Sequence, residues 1–440
     1  MPLSHPLPLP RSLDGWLAHI ERLHPHTIAM GLDRVRAVKD ALALVPRFPL
    51  ITVGGTNGKG SACMMLEAIL HHAGYKVGCY TSPHLMRYNE RVRIARVEAS
   101  DMQLTHAFEA VERARAQVGI SLTYFEFGTL AAMGLFIEAR VDVAILEVGL
   151  GGRLDAVNVF EPDCAMVMSV ALDHMDYLGE TREQIGFEKA GIFRAGKPAI
   201  CADADPPRSL TDHAAAIGAD LLLRGREFDA TSAATQWRYQ GPGGGRYGLP
   251  WPALRGAYQV DNAAACIAAL DAVRDRCPVT MNDIRGGLLT AENPGRFQVL
   301  PGQPTVILDV AHNPHAAQAL VVSLKSMPRG GRTLAVFAML ADKDIAGVAN
   351  ILTPHIDRWF VAGIAGPRGT TAQQLSRHLM AVGVSGIECC ESVAQAYAKA
   401  REAATDNDKI LVFGSFHTVS EAMQAIGAHN LHNVQKARGS

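Results

Sequence analysis

The 440-residue sequence has no stretch of about 18 apolar residues free of a charge or a breaker, so no membrane-spanning helix is predicted. It has no excess of either charge: 42 Lys and Arg stand against 43 Asp and Glu, a net charge of -1. That balance argues against both a basic nucleic-acid footprint and an acidic solvating tail. The eight cysteines are scattered singly, apart from Cys389 and Cys390, and none forms a CxxC pair. Neither a disulfide framework nor a zinc site is expected; reduced thiols in a cytoplasmic enzyme fit the pattern. The opening MPLSHPLPLP alternates prolines and lacks the apolar run of a signal peptide, so residues 1–10 read as a loose leader. No internal repeat is visible, and no side chain has the triad-like context of a catalytic nucleophile.

What is present is a chain too long for one ordinary core and apolar enough, at 48%, to bury more than one. Residues from Ser12 to about Leu44 are helical in pattern. A first strand, PLITV, ends at Val53, and after a Gly-rich turn a helix runs from Ala62 to about His72. Strand-like runs at 76–80, 141–148, 164–170 and 198–201 alternate with helical stretches, as in a mostly parallel sheet covered on both faces. Residues 241–245, GPGGG, read as an exposed turn between β segments. A second alternation begins near Pro301, with strands TVILDV, TLAVFAML, WFVAGI and KILVFGS and helices HAAQALVVSLKSM and VAQAYAKAREAA between them. The fold class expected is α/β: a P-loop ATPase-type, mostly parallel sheet domain over 1–295 and a smaller Rossmann-like domain over 296–440, with the break around 292–304. A nucleotide would sit at the carboxyl ends of the first domain's strands, facing the second domain.

The sharpest local signal is Val53-Gly54-Gly55-Thr56-Asn57-Gly58-Lys59-Gly60-Ser61, joining a strand to a helix. Glycines let backbone N–H groups converge on phosphate oxygens, and the helix start adds its dipole. Lys59, expected on a solvent-facing loop, would neutralise phosphate charge, and a nearby hydroxyl could reach Mg²⁺. It is not a strict Walker A loop, because Gly60 separates Lys59 from Ser61. Three further clusters follow strands: 81–84 (TSPH), 147–155 (EVGLGGRLD) and 173–176 (DHMD). They put a hydroxyl, a carboxylate and an imidazole on one rim of the sheet. Mg²⁺ takes oxygen ligands, which suits Ser82 and Glu147. A carboxylate ending a buried apolar strand is costly unless it meets a cation. Taken alone, His174 reads as a capping or core histidine, Lys189 in FEKAGIF as a surface lysine, and Asn262 as the N-cap opening a helix. Arg296 lies at the domain break, and Asp309 ends the second domain's first strand.

GTNGKGS, TSPHL, LEVGLGGRLDA, LDHMDYLG, EKAGIF, PGRFQ, DVAHNPHAA and GSFHTV occur in that order, the first at residue 55 and the last ending at 419, within a likeness that runs from about residue 12 to residue 420. The pattern resembles the Mur ligase superfamily and, more narrowly, the bacterial bifunctional dihydrofolate synthase/folylpolyglutamate synthase family. The resemblance implies ATP-dependent addition of L-glutamate to 7,8-dihydropteroate and to tetrahydrofolate glutamates through an acyl phosphate. It implies ATP contacts at Thr56, Asn57, Gly58, Lys59, Gly60, Ser61, Asn262, Arg296 and Asp309. Mg²⁺ positions match Ser82, Glu147 and His174, with a monovalent cation as a further candidate. Lys189 matches a carbamate-bearing lysine, which makes Lys59, Lys189 and His174 the catalytic candidates. The pterin positions match Ile28, Ala29 and Met30; Thr123, Tyr124, Phe125 and Glu126; and Leu154, Asp155 and Ala156. His417 is a candidate near the glutamate pocket. The chain departs from the family at Ala29, where Asp is common, and at Val157, where Thr is common. Partners are small molecules alone, with no nucleic acid and no membrane, and a monomer is expected. The alternatives are another Mur-type amide ligase, for which the roughly 48 residues before the first strand leave too little room for a UDP-binding domain, and a non-catalytic nucleotide-binding regulator, for which Lys59, Glu147 or His174 should be missing, whereas all are present.

Overall fold

The computed structural model describes residues 9–438 apart from 26–27, 234, 257 and 329, so most of the leader lies outside the described residues. Two compact units form. One comprises the chain up to Trp251 together with Val260–Ala291, the other Pro252–Gln259 together with the chain from Glu292 on.

The first unit is built on β1 (Leu50–Gly54), β2 (Val77–Tyr80), β3 (Val92–Ile94), β4 (Val97–Glu98), β5 (Val143–Glu147), β6 (Cys164–Val167), β7 (Pro198–Cys201) and β8 (Asp220–Leu223). Their order in the sheet is β4-β3-β2-β5-β1-β6-β7-β8. From β2 to β8 all pairs are parallel, and β3 and β4 add an antiparallel edge. The central strands are apolar at nearly every position because helices cover both faces. β5 sits between β2 and β1, with Val53 opposite Glu147 and Tyr80 opposite Leu146. The carboxyl ends of β1, β2 and β5 therefore open on one rim, where α/β sheets place their ligands.

A small antiparallel sheet, β9 (Asp229–Ser232), β10 (Gln236–Gly241) and β11 (Gly244–Pro250), turns at the glycine-rich stretch as its composition predicts. The second unit carries β12 (Gln298–Leu300), β13 (Thr305–Asp309), β14 (Thr333–Phe337), β15 (Arg358–Ala362), β16 (Ile387–Cys390) and β17 (Lys409–Phe413), ordered β12-β13-β17-β14-β15-β16. All pairs are parallel except β12 with β13. Its core stacks Phe337, Trp359 and Phe413, with ring centroids 4.9–5.9 Å apart.

Several sequence expectations need correction. The single helix expected from Ser12 to Leu44 is two, Leu13–Glu21 and Asp33–Ala41, with Ser12 capping the first through Gly15 N–H. Between them lie Pro25, which has no N–H to donate, and Gly31 at φ +130°, a backbone that no helix accommodates. The second unit has six strands rather than four. β12 and β16 are only three and four residues long and carry no clean alternation. Asp309 therefore ends the second strand of that sheet, not the first. Among the described residues no helix is long and apolar enough to cross a membrane.

Candidate active site

The phosphate-type loop leaves β1 at Gly54 and enters the helix Lys59–His72 through Gly58, which sits at φ +88° as its N-cap. Gly55 is at φ +134°, and a Cβ there would lie 2.9 Å from the Met168 nitrogen. The loop must pass that close because β1 pairs with β6, and the chain beyond β6 braces it. Thr56 N–H donates to Ser169 O at 2.7 Å, and Asn57 N–H donates to Ser169 Oγ at 2.9 Å. The Thr56 hydroxyl donates to Ala171 O and accepts from Ala171 N–H. Thr56 and Asn57 thus shape the loop. The first intrahelical bond runs from Ala62 N–H to Gly58 O, so the amides of Lys59, Gly60 and Ser61 belong to the helix start that receives anions. Lys59 is not on a solvent-facing loop. It is the first helical residue, half-buried, and its ammonium donates back to the Gly55 and Thr56 carbonyls at 2.9 and 3.2 Å. A Cβ on Gly58 would meet Asn262 Oδ1 at 2.9 Å. Asn262 is in the first turn of the helix Gln259–Ala272 but does not open it.

On the same rim, Glu147 ends β5 with 3% exposure, and its Oε2 accepts the Ser82 N–H at 3.0 Å. These two metal candidates are together. His174 lies seven residues past β6, in left-handed conformation at φ 52°, with its Nε2 4.0 Å from Asp173 Oδ1. Among the described residues no three His, Cys, Asp or Glu side chains gather as a metal-binding group.

Lys189 is buried, which corrects the surface reading of its local sequence. It lies in the last turn of the helix Arg182–Ala190. That helix is keyed to the Gly152–Arg153 turn: a Cβ on Gly152 would meet Glu188 O at 2.8 Å, and Arg153 pairs with Glu188 at 2.8 Å. Burial, with Lys59 nearby, lowers the Lys189 ammonium from 10.5 to about 7, against the opposing pull of Asp173 and Asp155. Burial likewise raises the Asp155 carboxyl to about 7, although Leu150, Val157 and Gly149 N–H groups and Lys59 favour its anion.

The three segments matched to a pterin are brought into one neighbourhood. Thr123 and Glu126 form the capping box of the helix Tyr124–Ala139. Phe125 packs where a Cβ on Gly149 would fall, 2.7 Å from its ring. Met30 reaches within 3.9 Å of a Cβ on Gly151, and Asp155 Oδ2 accepts Leu150 N–H at 2.8 Å. Ile28, Ala29 and Leu154 are half-buried, and Ala156 is buried. Arg34, absent from the sequence reading, donates to both Ala29 O and Glu126 Oε1. Arg91, also absent, lies over the Tyr88 and Tyr124 rings at 5.3 and 5.4 Å and donates to His84 Nδ1 at 2.8 Å. Ser169 could have been found only by knowing that β6 neighbours β1.

In the second unit, Asp309 accepts Phe297 and Ala311 N–H at 2.8 and 2.7 Å. Burial raises its carboxyl, with Arg296 opposing. Arg296 lies 5.2 Å over the Phe416 ring. His417 is exposed.

Residues 53–270 match the Mur ligase middle domain, and residues 295–416 match the Mur ligase glutamate ligase domain. The dihydrofolate synthase/folylpolyglutamate synthase of Escherichia coli strain K12 is 48% identical over 417 residues, covering 94% of this chain and 96% of that one. The structure of E. coli FolC in complex with DHPP and ADP superposes with TM-score 0.91 at 48% identity, over 95% of this chain and 98% of that one. A bifunctional folylpolyglutamate synthase/dihydrofolate synthase with Mn, AMPPNP and L-glutamate bound gives TM-score 0.88 at 45% identity, over 96% and 100%. The chain belongs to the Mur ligase family, among the dihydrofolate synthase/folylpolyglutamate synthases.

Proposed function

We propose that the chain is an ATP-dependent ligase that joins L-glutamate to the carboxylate of 7,8-dihydropteroate, and to tetrahydrofolate glutamates to lengthen their tails. The relatives' names and their complexes with ADP, AMPPNP, DHPP and L-glutamate support this substrate set. One observation in the chain itself carries the reading. The strand that leads into the phosphate-type loop lies beside β5, with Val53 opposite Glu147, and Glu147 accepts the Ser82 N–H. The turn that follows β5 carries the third pterin segment, with Asp155 accepting the Leu150 N–H, so one rim of the sheet brings the phosphate-binding, metal-binding and pterin-binding candidates together, as they must be if a phosphoryl group is to pass from ATP to the substrate carboxylate.

A carboxylate and a hydroxyl at strand ends fit a hard divalent cation whose other ligands are water and phosphate oxygens. Ser82 and Glu147 would hold Mg²⁺, with His174 as a third donor, and the ion would offset charge on the transferred phosphoryl group. The manganese in a relative supports a divalent ion here. Thr56, Asn57, Gly58, Gly60 and Ser61 form the phosphate cradle. Lys59 exchanges its bonds to the Gly55 and Thr56 carbonyls for phosphate oxygens. Asn262 in the first unit, and Arg296 and Asp309 in the second, supply further ATP contacts. Residues 28–30, 123–126 and 154–156 hold the pterin. Lys189, as a carbamate, turns from cation to anion.

In the reaction an oxygen of the substrate carboxylate attacks the γ-phosphorus in line and ADP leaves. The acyl phosphate is then attacked at carbon by the glutamate α-amine. The amine loses a proton, phosphate departs and an amide remains. The protein supplies charge neutralisation and alignment rather than a nucleophile. The reading extends to a cytoplasmic enzyme, which eight free thiols support. Purified chain should form ADP in a glutamate-dependent manner with dihydropteroate and, in a separate assay, with tetrahydrofolate. Turnover with neither substrate would overturn the assignment, and turnover with tetrahydrofolate alone would remove the first activity.

A further inference from the structure

Residues 28–30 have no regular secondary structure, and Gly31, at φ +130°, turns the chain toward the helix Asp33–Ala41. A segment with no ladder or helical bonds is held only by what its few polar groups meet. Here the Ala29 carbonyl accepts a 2.7 Å hydrogen bond from Nη2 of Arg34, in the first turn of that helix. The same Nη2 donates to Glu126 Oε1 at 2.9 Å. Glu126 is a fixed anchor. It is 3% exposed, and its Oε2 accepts the Thr123 N–H at 2.7 Å. Its own N–H donates to Thr123 Oγ1, which closes the capping box of a helix packed in the core. Arg34 Nε is shielded from solvent and has no hydrogen-bond partner. The hold on the loop therefore passes through the two charge-assisted bonds at Nη2.

We propose that Arg34 is a positioning residue for the pteridine-bearing substrate. It sets the spacing between residues 28–30 and residues 123–126 without touching the reacting carboxylate. This rests on reading those two segments as walls of the pterin site. A positively charged strut to a buried carboxylate is worth more than an exposed ion pair, because neither partner can be freely rehydrated. Position 29 makes the strut more important in this chain. Alanine offers no side chain to anchor the loop, so the main-chain carbonyl is the group Arg34 grips. Without Arg34 the loop must be ordered anew each time the pteridine binds. That cost falls on one substrate and not on the chemistry.

The full-length Arg34→Met and Arg34→Lys variants test this by steady-state kinetics in each of the three substrates, with Phe125→Ala as a control for the pterin site. Loss of two charge-assisted bonds should raise KM for dihydropteroate about tenfold or more in Arg34→Met. Its kcat and its KM for ATP and glutamate should stay near wild type. Arg34→Lys keeps a charged donor group on a shorter reach and should fall between; it decides the matter if the methionine variant does not fold. If Phe125→Ala raises the dihydropteroate KM and the Arg34 variants leave it unchanged, the positioning role is overturned and the pterin site stands. If all of them leave it unchanged, the pterin reading falls and Arg34 with it. A fall in kcat with all three KM values unchanged would also overturn the proposal, by assigning Arg34 to the chemical step.

Discussion

The proposed carbamate on Lys189 would reverse the sign of its charge. With its ammonium lowered from 10.5 to about 7 by burial, the neutral amine that reacts with CO₂ is the main form above that pH. Activity in bicarbonate buffer should therefore rise as pH passes upward through about 7. Stability follows the same linkage. The unfolded chain binds the proton more tightly, so the unmodified fold is penalised below pH about 7 and recovers as pH climbs toward the unfolded value. Lys189→Ala should be nearly inactive and partly rescued by acetate. Lys189→Arg, which keeps the positive charge, should not recover; a highly active arginine variant would defeat the carbamate assignment. Glu147→Gln removes the charge at the end of β5 while keeping the Ser82 N–H bonded to an oxygen. The Mg²⁺ concentration for half-maximal rate should shift upward by about tenfold or more, and an unchanged magnesium titration would return Glu147 to a structural role. That Glu147 and Ser82 stand at neighbouring strand ends was legible, because β5 and β2 are readable strands. The burial of Lys189 was not legible, because its flanking residues, Glu188 and the exposed Phe187, are those of a surface. The turn that covers it is distant in sequence: Gly152 packs against the Glu188 and Lys189 carbonyls.

The helix Lys59–His72 begins at the phosphate loop and is buried over most of its length, including Glu67, which pairs with Arg93. The helix Met281–Thr290 packs on it so closely that a Cβ on Gly287 would fall 2.4 Å from the Ile69 Cα. Backbone on both sides cannot yield, so Gly287→Ala should destabilise the fold by about 2–3 kcal/mol, measured as a lower urea midpoint. A wild-type midpoint would show that these helices have room to separate. Elements with strong apolar runs, such as β1, β5, β13 and β17, were legible because buried parallel strands leave little else to choose from. β12, β16 and the pair β3 and β4 were not. They are short edge or near-edge strands whose pairing, not their composition, makes them strands. The break between the first two helices was written in Pro25 and Gly31, but helical periodicity on either side masked it.

At the scale of the whole molecule, the glycine-rich loop after β1, the Ser82–Glu147 pair, Lys189 and residues 28–30, 123–126 and 154–156 belong to one unit, and Arg296 and Asp309 to the other. The order of motifs along the chain made the two-part organisation and the ligase chemistry readable. The contacts of Arg34 with Glu126, Arg91 with Tyr124 and Ser169 with Asn57 were not readable, because each joins residues distant in sequence. In the proposed reaction the dihydropteroate carboxylate itself takes the phosphoryl group before glutamate attacks. The most direct test supplies dihydropteroate carrying oxygen-18 in its carboxylate, with ATP, Mg²⁺ and L-glutamate, and reads the mass of the phosphate released. A single oxygen-18 atom should pass to phosphate for each amide formed. Amide formation with unlabelled phosphate would contradict that route.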